Sequence, residues 1–335
     1  MSIILFITII NIFSIFACTN KNKTENLKET IYSNKISSRF SKKYIKNEIN
    51  EIIEKIKIKI KNDKTNELEN LKLQLIDSVL KSKIGFKNLG NTCYMNSAIQ
   101  FLNSNKLFLK CFINSYFKCK YNDKNIVSNS LFNILLYKYL LNGSNKKWIN
   151  IVEFKDSVVK ANKFKAYKWN EQGDVYFFID MIIDNIKNEL PNFKKSYSCN
   201  TYEIEISKEN DNIKDIINKK NIPQQEAFII KINRVKKENN KIVKINKNII
   251  IEEIIEISNS KYFLKSIVSH IGNTASSGHY VVYINNNNTW ACYDDKKCHK
   301  CKNINDINKI NYKKIFTSKN IKQSAYLLLY EKINI

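Results

Sequence analysis

His270, His279 and His299 are the three histidines of the chain, so any imidazole that moves a proton in catalysis is one of them. His279 opens the stretch HYVVYINNNNTWACYDD. Tyr280 to Ile284 is β-branched and aromatic and reads as a strand. Asn285 to Asn288 reads as a turn, because Asn tolerates left-handed backbone angles. Trp290 to Tyr293 reads as the returning strand. If Ile284 faces Thr289, His279 lies across from Asp294; if it faces Trp290, His279 lies across from Asp295. Either register places a carboxylate roughly 5 Å from the imidazole, Cβ to Cβ. Such a carboxylate would fix the ring tautomer and stabilise imidazolium. A plain surface His–Asp pair would leave the same trace in the sequence.

Cys93 is the nucleophile that suits this imidazole. Met95, Ala98, Ile99 and Leu102 recur at helical spacing, which predicts a helix starting at about Cys93. Gly85 and Gly90 supply a tight loop ahead of it. A sulfur at a helix N-terminus sits at the positive end of the dipole, where negative charge is favoured. Asn88 and Asn91 offer amide donors close to that sulfur, suited to a tetrahedral oxyanion. A buried core cysteine would need none of these neighbours.

GFKNLGNTCYMNSAIQFL, from Gly85 to Leu102, resembles the Cys box of the ubiquitin-specific proteases, and SGHYVVYINNNNTWACYDD resembles their His box. SAYLLLYEK, from Ser324 to Lys332, is similar to their closing strand, and EQGDVYFFIDMIID, from Glu171 to Asp184, to their acidic-glutamine helix. The resemblance spans about Ile84 to Lys332. It implies an α+β, papain-like fold with thumb, palm and reduced fingers. It further implies Cys93 as nucleophile, His279 as general base, Asp294 as orienting acid and Asn88 in the oxyanion hole. Asp295 matches a second acidic position that some members use as the third member instead. The resemblance also places Asp174, Gln172, Gly278 and Tyr280 against substrate, with Asp174 meeting the arginine-containing tail of ubiquitin. His270 and Gly272 to Gly278 match a flexible loop at the mouth of the cleft. Two departures stand out. Tyr176-Phe177 replaces the His-Glu usual after the Asp. The segment from Pro191 to Pro223, where many members bind zinc through paired cysteines, has Cys199 alone. Cys298-His299-Lys300-Cys301 contains a CxxC but no second pair, and reads as a loop. The expectation is therefore no metal, no cofactor and short fingers.

The surrounding elements follow from periodicity. Ile45, Ile49, Ile52, Ile53, Ile56 and Ile60 recur at helical spacing, as do Leu68, Leu71, Leu75, Ile76, Val79 and Leu80, giving an amphipathic hairpin that packs on the main domain or pairs with another copy. Val175 to Ile186 reads as a helix too apolar to face solvent. Tyr202 to Ile206, Phe228 to Ile232, Ile249 to Ile251 and Tyr326 to Tyr330 read as strands. Helices first and strands later point to α+β. The expected division is residues 1–20 as a leader, 21–83 as a polar tether and helical hairpin, and 84–335 as the catalytic domain.

Composition narrows the rest. The chain of 335 residues is 43% apolar with 18 Tyr and 18 Phe, enough for a large core and unlike a disordered chain. It carries net charge +25, yet Arg39 and Arg234 are its arginines, and the rest of the basicity is lysine. Lys, Asn and Ile are all written with A- and T-rich codons, so the charge reads as genome composition, and no nucleic-acid partner is expected. Ile3 to Ala17 is mostly apolar, of a length suited to a signal-peptide core, and Ala17-Cys18 resembles the lipobox of bacterial lipoproteins, with Cys18 the lipidated residue. The expectation is export or membrane anchoring through the N-terminus, cytoplasmic location being the alternative. An exported bacterial protein would act on host ubiquitin conjugates. The competing functions are an inactive ubiquitin-binding module and a cysteine peptidase for a ubiquitin-like modifier. Oligomeric state is left open.

Overall fold

The computed structural model describes residues 66–119, 124–142, 148–161, 171–286, 289–300 and 319–333. The leader with Cys18, the polar tether, the first helix of the hairpin and Cys301 lie outside the described residues. The second helix of the hairpin is described, as Asn66–Lys81. It buries Leu75, Ile76 and Val79 against the helical layer of the main domain.

Cys93–Ser104 is the central helix, and all of its residues are buried. Met95, Ala98, Ile99 and Leu102 are fully enclosed, and Tyr94 meets Phe178 edge to face at 5.2 Å. Among its buried polar side chains, Gln100 Nε2 donates to the Ile84 carbonyl, and Lys138 Nζ donates to Gln100 Oε1 at 2.6 Å. Burial lowers the Lys138 amine to about 7. Helices Lys106–Lys118, Ile126–Leu141, Val152–Ala161 and Val175–Glu189 complete this layer.

The second layer is an eight-stranded sheet among the described residues. Its strands run in the order Lys297–Lys300, Thr289–Asp294, His279–Asn286, Ser260–Ile271, Ala325–Lys332, Ala227–Asn233 and Asn200–Glu205, with Ile254–Ile257 pairing on Ser260–Ile271. Pairing is antiparallel except between Asn200–Glu205 and Ala227–Asn233. The Cys93 helix packs across the His279 strand and the Ser260–Ile271 strand, so helix and sheet bring their chemistry to one seam.

Three expectations need correction. The turn does not begin at Asn285: Asn285 pairs with Trp290 and Asn286 with Thr289, so Ile284 faces Ala291 and neither anticipated register holds. Four consecutive asparagines carry no mark of where a strand ends, and the ladder hydrogen bonds extend it. Second, Cys298-His299-Lys300 is strand, not loop, because Asp295, at φ 49°, reverses the chain and Cys298 pairs with Tyr293. Third, the Val175–Glu189 helix is not enclosed all round. Phe177 is 59% exposed, while Val175, Phe178, Ile179, Ile182 and Ile186 form the buried face.

A short hairpin, Val235–Glu238 with Lys241–Lys244, projects from this sheet. Arg234 anchors its base. The buried guanidinium donates to the carbonyls of Ala325, Ile245, Lys247 and Lys322.

Candidate active site

Cys93 is the first residue of its helix and is buried. The preceding loop turns through two left-handed residues, Gly90 at φ 92° and Asn91 at φ 49°. Thr92, at the N-cap, makes no side-chain cap. Its hydroxyl turns back instead, accepting from the Leu89 N–H at 2.8 Å and donating to Asn88 Oδ1 at 3.2 Å. The first N–H groups of the helix are thus not covered by a capping side chain. Asn91 is exposed and serves the turn.

His279 Nε2 and Asp294 Oδ1 are 2.7 Å apart. Continuing the observed register by one step sets Asp294 opposite Val281, two residues from His279 on the same face of its strand. The pair is therefore a diagonal cross-strand pair, and the long reach of the imidazole closes it. With Nε2 taken, Nδ1 is the nitrogen left for the sulfur. The hydrogen bond with Cys93 is the strongest influence on His279; with that from Asp294 it outweighs burial and holds the imidazole up at about 9.

Asp295 is not against the imidazole in the same way. Asn88 Nδ2 donates to its Oδ2 at 2.9 Å and Asn96 Nδ2 donates to its Oδ1 at 2.7 Å. Its backbone carbonyl accepts from Phe86 N at 2.9 Å. Gly85 permits this approach, since a Cβ there would stand 2.4 Å from the same carbonyl oxygen. Asn88 Oδ1 meanwhile accepts from Gly90 N, so the Asn88 amide is held from both ends.

Asp174 is the N-cap of the Val175–Glu189 helix. Its Oδ1 accepts from the Tyr176 and Phe177 N–H groups, and its Oδ2 from the Tyr280 and Tyr326 hydroxyls at 3.3 and 2.9 Å. Gln172 Nε2 donates to the Gly278 carbonyl at 2.9 Å, joining this segment to the loop ahead of His279. Gly278 fits tightly, a Cβ there lying 2.5 Å from His270 Nε2. Burial, then the positive charge of Lys244, lowers His270 to about 4, leaving it neutral. Lys244 Nζ ties the start of the same loop by donating to the His270 and Gly272 carbonyls.

The structure thus gathers Cys93, His279, Asp294, Asp295 and Asn88 at one seam, with Asp174 and Tyr280 on an adjoining wall. The sequence reading missed Asn96, Tyr326 and Lys244. Asn96 had a signal, being a polar residue three positions after Cys93 on a helix otherwise rich in apolar residues. Cys111 and Cys199 are away from the seam, and burial raises both thiols, Cys199 to about 12.

A buried central helix that begins at a cysteine and lies across a largely antiparallel sheet carrying histidine and aspartate defines the papain-like class. Comparison with known proteins narrows this. The family described as Ubiquitin carboxyl-terminal hydrolase matches residues 84–330, and the chain belongs to that family. Ubiquitin carboxyl-terminal hydrolase 37 of Mus musculus is 32% identical over 118 residues, and that of Homo sapiens 31%. Each match covers 34% of this chain and 11% of the relative's length. Among solved structures, the SAGA Ubp8/Sgf11/Sus1/Sgf73 DUB module bound to ubiquitin aldehyde shares the fold, with TM-score 0.58 and 17% identity over 75% of this chain and 70% of that one. The SAGA DUB module bound to monoubiquitin has TM-score 0.56 and 17% identity, covering 75% of this chain and 69% of that one.

Proposed function

We propose that the chain is a thiol-dependent deubiquitinase that hydrolyses the peptide or isopeptide bond after the C-terminal glycine of ubiquitin. The observation that carries this is His279, held between the Cys93 sulfur and the Asp294 carboxylate. Family membership and solved neighbours that hold ubiquitin or ubiquitin aldehyde support the substrate.

In this mechanism the Cys93 sulfur attacks the glycine carbonyl, and the electron pair of the C=O bond moves to oxygen. The Asn88 amide and the Cys93 N–H receive that oxyanion. Imidazolium His279 gives its proton to the leaving amine as the C–N bond breaks. Water, deprotonated by His279, then cleaves the thioester and restores the thiol and a free carboxylate. Asp294 keeps the ring oriented and stabilises its charged form. Asp174, Gln172, Gly278 and Tyr280 line the path of the substrate tail, and residues 84–335 form the catalytic domain.

The test is incubation of the full chain with ubiquitin bearing a C-terminal electrophile. A covalent adduct that disappears in Cys93→Ala is expected; binding without an adduct would establish an inactive ubiquitin-binding module instead. Export through residues 1–20, with lipidation at Cys18 and action on host conjugates, rests on the leader sequence. Incorporation of labelled fatty acid, lost in Cys18→Ser, is the result expected of lipidation, and absence of label in the intact chain would end lipidation; recovery of the intact chain wholly in the bacterial cytosol would end export.

A further inference from the structure

At the first turn of the Val175–Glu189 helix, Tyr176 and Phe177 place their rings 5.5 Å apart, centroid to centroid. Lys231, from the neighbouring strand Ala227–Asn233, lies over both, its Nζ 4.5 Å from the Tyr176 ring and 5.4 Å from that of Phe177. The same Nζ is 3.0 Å from Glu203 Oε1, the residue directly across the ladder. Two ring faces and a carboxylate converging on one ammonium make a site for a cation. Its occupant is a lysine of the protein itself, whose side chain is only 15% exposed, whereas Glu203 is 53% and Phe177 59% exposed. The walls are therefore reachable from solvent although the ammonium is covered.

Position gives this cage its meaning. Tyr176 and Phe177 donate their N–H groups to Asp174, whose other oxygen takes the hydroxyl of Tyr280, the residue after His279. The cage thus continues the wall that runs from the reacting centre. Beyond it opens a cavity of about 370 Å³ lined in part by Tyr176, Asp180, Asn200 and Thr201. Asp174, Asp180 and Glu203 all act electrostatically on Tyr176, and Lys231 is the cation among them. Three carboxylates and two ring faces stand along this wall; Lys231 is the ammonium seated on the rings and on Glu203, while Lys187 and Lys194 line the cavity beyond.

We propose that Lys231 is a built-in competitor in a subsite for a guanidinium of the extended substrate tail, and that the incoming arginine displaces it. The inference rests on the deubiquitinase reading and adds to it a specificity-determining residue. An arginine is the fitting occupant, since a planar guanidinium both stacks on a ring and forks a carboxylate, while the ammonium of Lys231 offers a point charge. The flexible four-carbon stem allows Lys231 to swing into solvent when displaced.

The experiment compares the full wild-type chain with Lys231→Met on ubiquitin carrying a fluorogenic C-terminal amide, its tail arginines intact or replaced by alanine. With the arginines intact, KM falls about three- to tenfold in Lys231→Met while kcat holds, the scale of a cation–π contact released from competition. With alanines the gain vanishes. Adding Glu203→Gln to Lys231→Met raises KM on the arginine tail alone. A KM that stays or rises in Lys231→Met, or an equal gain on both tails, overturns the proposal; unchanged thermal midpoints show that each variant folds. If the wild type neither cleaves ubiquitin nor is labelled at Cys93, the deubiquitinase reading has failed. Calorimetry of Cys93→Ala, with and without Lys231→Met, against arginine- and alanine-bearing hexapeptides then decides the subsite separately. Tighter arginine binding upon Lys231→Met supports it, and no discrimination overturns it.

Discussion

Asn88 and Asp295, 207 positions apart in sequence, are joined by a 2.9 Å hydrogen bond from amide to carboxylate. The bond orients the Asn88 Nδ2 group: one of its two protons is spent on Asp295, which aims the other. The acidic pair of the His box therefore divides its labour, Asp294 on the imidazole and Asp295 on the amide beside the sulfur. Asp295→Ala removes the carboxylate that both Asn88 and Asn96 donate to, leaving Asn88 held through its Oδ1 alone. The expected outcome is a loss of kcat of about ten- to a hundredfold with KM nearly unchanged, read in steady-state kinetics on a ubiquitin amide. Asp295→Asn, which keeps an acceptor, retains more of the rate than Asp295→Ala. Equal kcat in wild type and Asp295→Ala would remove Asp295 from the machinery.

The pH profile follows from His279. Its hydrogen bonds to Cys93 and then Asp294 hold the imidazole up at about 9, so imidazolium, the form that in the proposed mechanism protonates the leaving amine, persists to that pH. Activity is expected to fall above about pH 9. Asp294→Asn removes a raising influence and moves the alkaline limb to lower pH, measurable as kcat/KM against pH. An unmoved limb would show that a different group titrates there.

Stability carries the two histidines with opposite signs. His279, raised from 6.5 to about 9, contributes stability that is full below 6.5 and lost as pH rises through about 9. His270, lowered from 6.5 to about 4 by burial, then Lys244 and His279, must stay neutral. Its contribution is full above 6.5 and declines as pH falls toward 4, by up to about 3 kcal/mol. Urea midpoints are expected to peak near neutral pH, and His270→Asn to flatten the acid side alone.

Arg234 is the one arginine among the described residues, and it is spent on structure. It donates to four backbone carbonyls on two stretches of chain, tying the short hairpin to the closing strand. Arg234→Lys keeps the charge but cannot span that fan of acceptors, and leaves buried carbonyls without donors. A loss of about 2–4 kcal/mol in denaturant unfolding is expected. A loss near zero would mean that water replaces the guanidinium at no cost.

How far these relationships could be read in advance depended on their range. The start of the helix at Cys93 was readable because Met95, Ala98, Ile99 and Leu102 mark one face and a glycine-bearing loop precedes them. The strands around Phe228 and Tyr326 were readable from their apolar runs. The hairpin register was not, since Asn285 to Asn288 offers four equivalent turn residues and the ladder decides among them. The cross-strand meeting of Lys231 with Glu203, and the fan of Arg234, join residues whose separation carries no periodic signal. Such contacts are set by sheet order, which local patterns do not encode.

Asp174 separates a structural role from a substrate role. Its Oδ1 caps the Val175–Glu189 helix and its Oδ2 receives two tyrosine hydroxyls, so both oxygens already have partners. Asp174→Asn keeps the cap through its side-chain oxygen and can still meet one tyrosine, but removes the charge. It is expected to cost less than about 1 kcal/mol of stability, whereas Asp174→Ala loses the cap and costs about 1–2 kcal/mol. If the carboxylate also meets a basic residue of the substrate tail, Asp174→Asn raises KM several-fold at unchanged stability. Replacing the tail arginines by alanine then abolishes the difference between Asp174→Asn and wild type. Should KM follow only the unfolding midpoint across the two variants, Asp174 is a cap and an anchor for Tyr280 and Tyr326, and its charge plays no direct part in recognition.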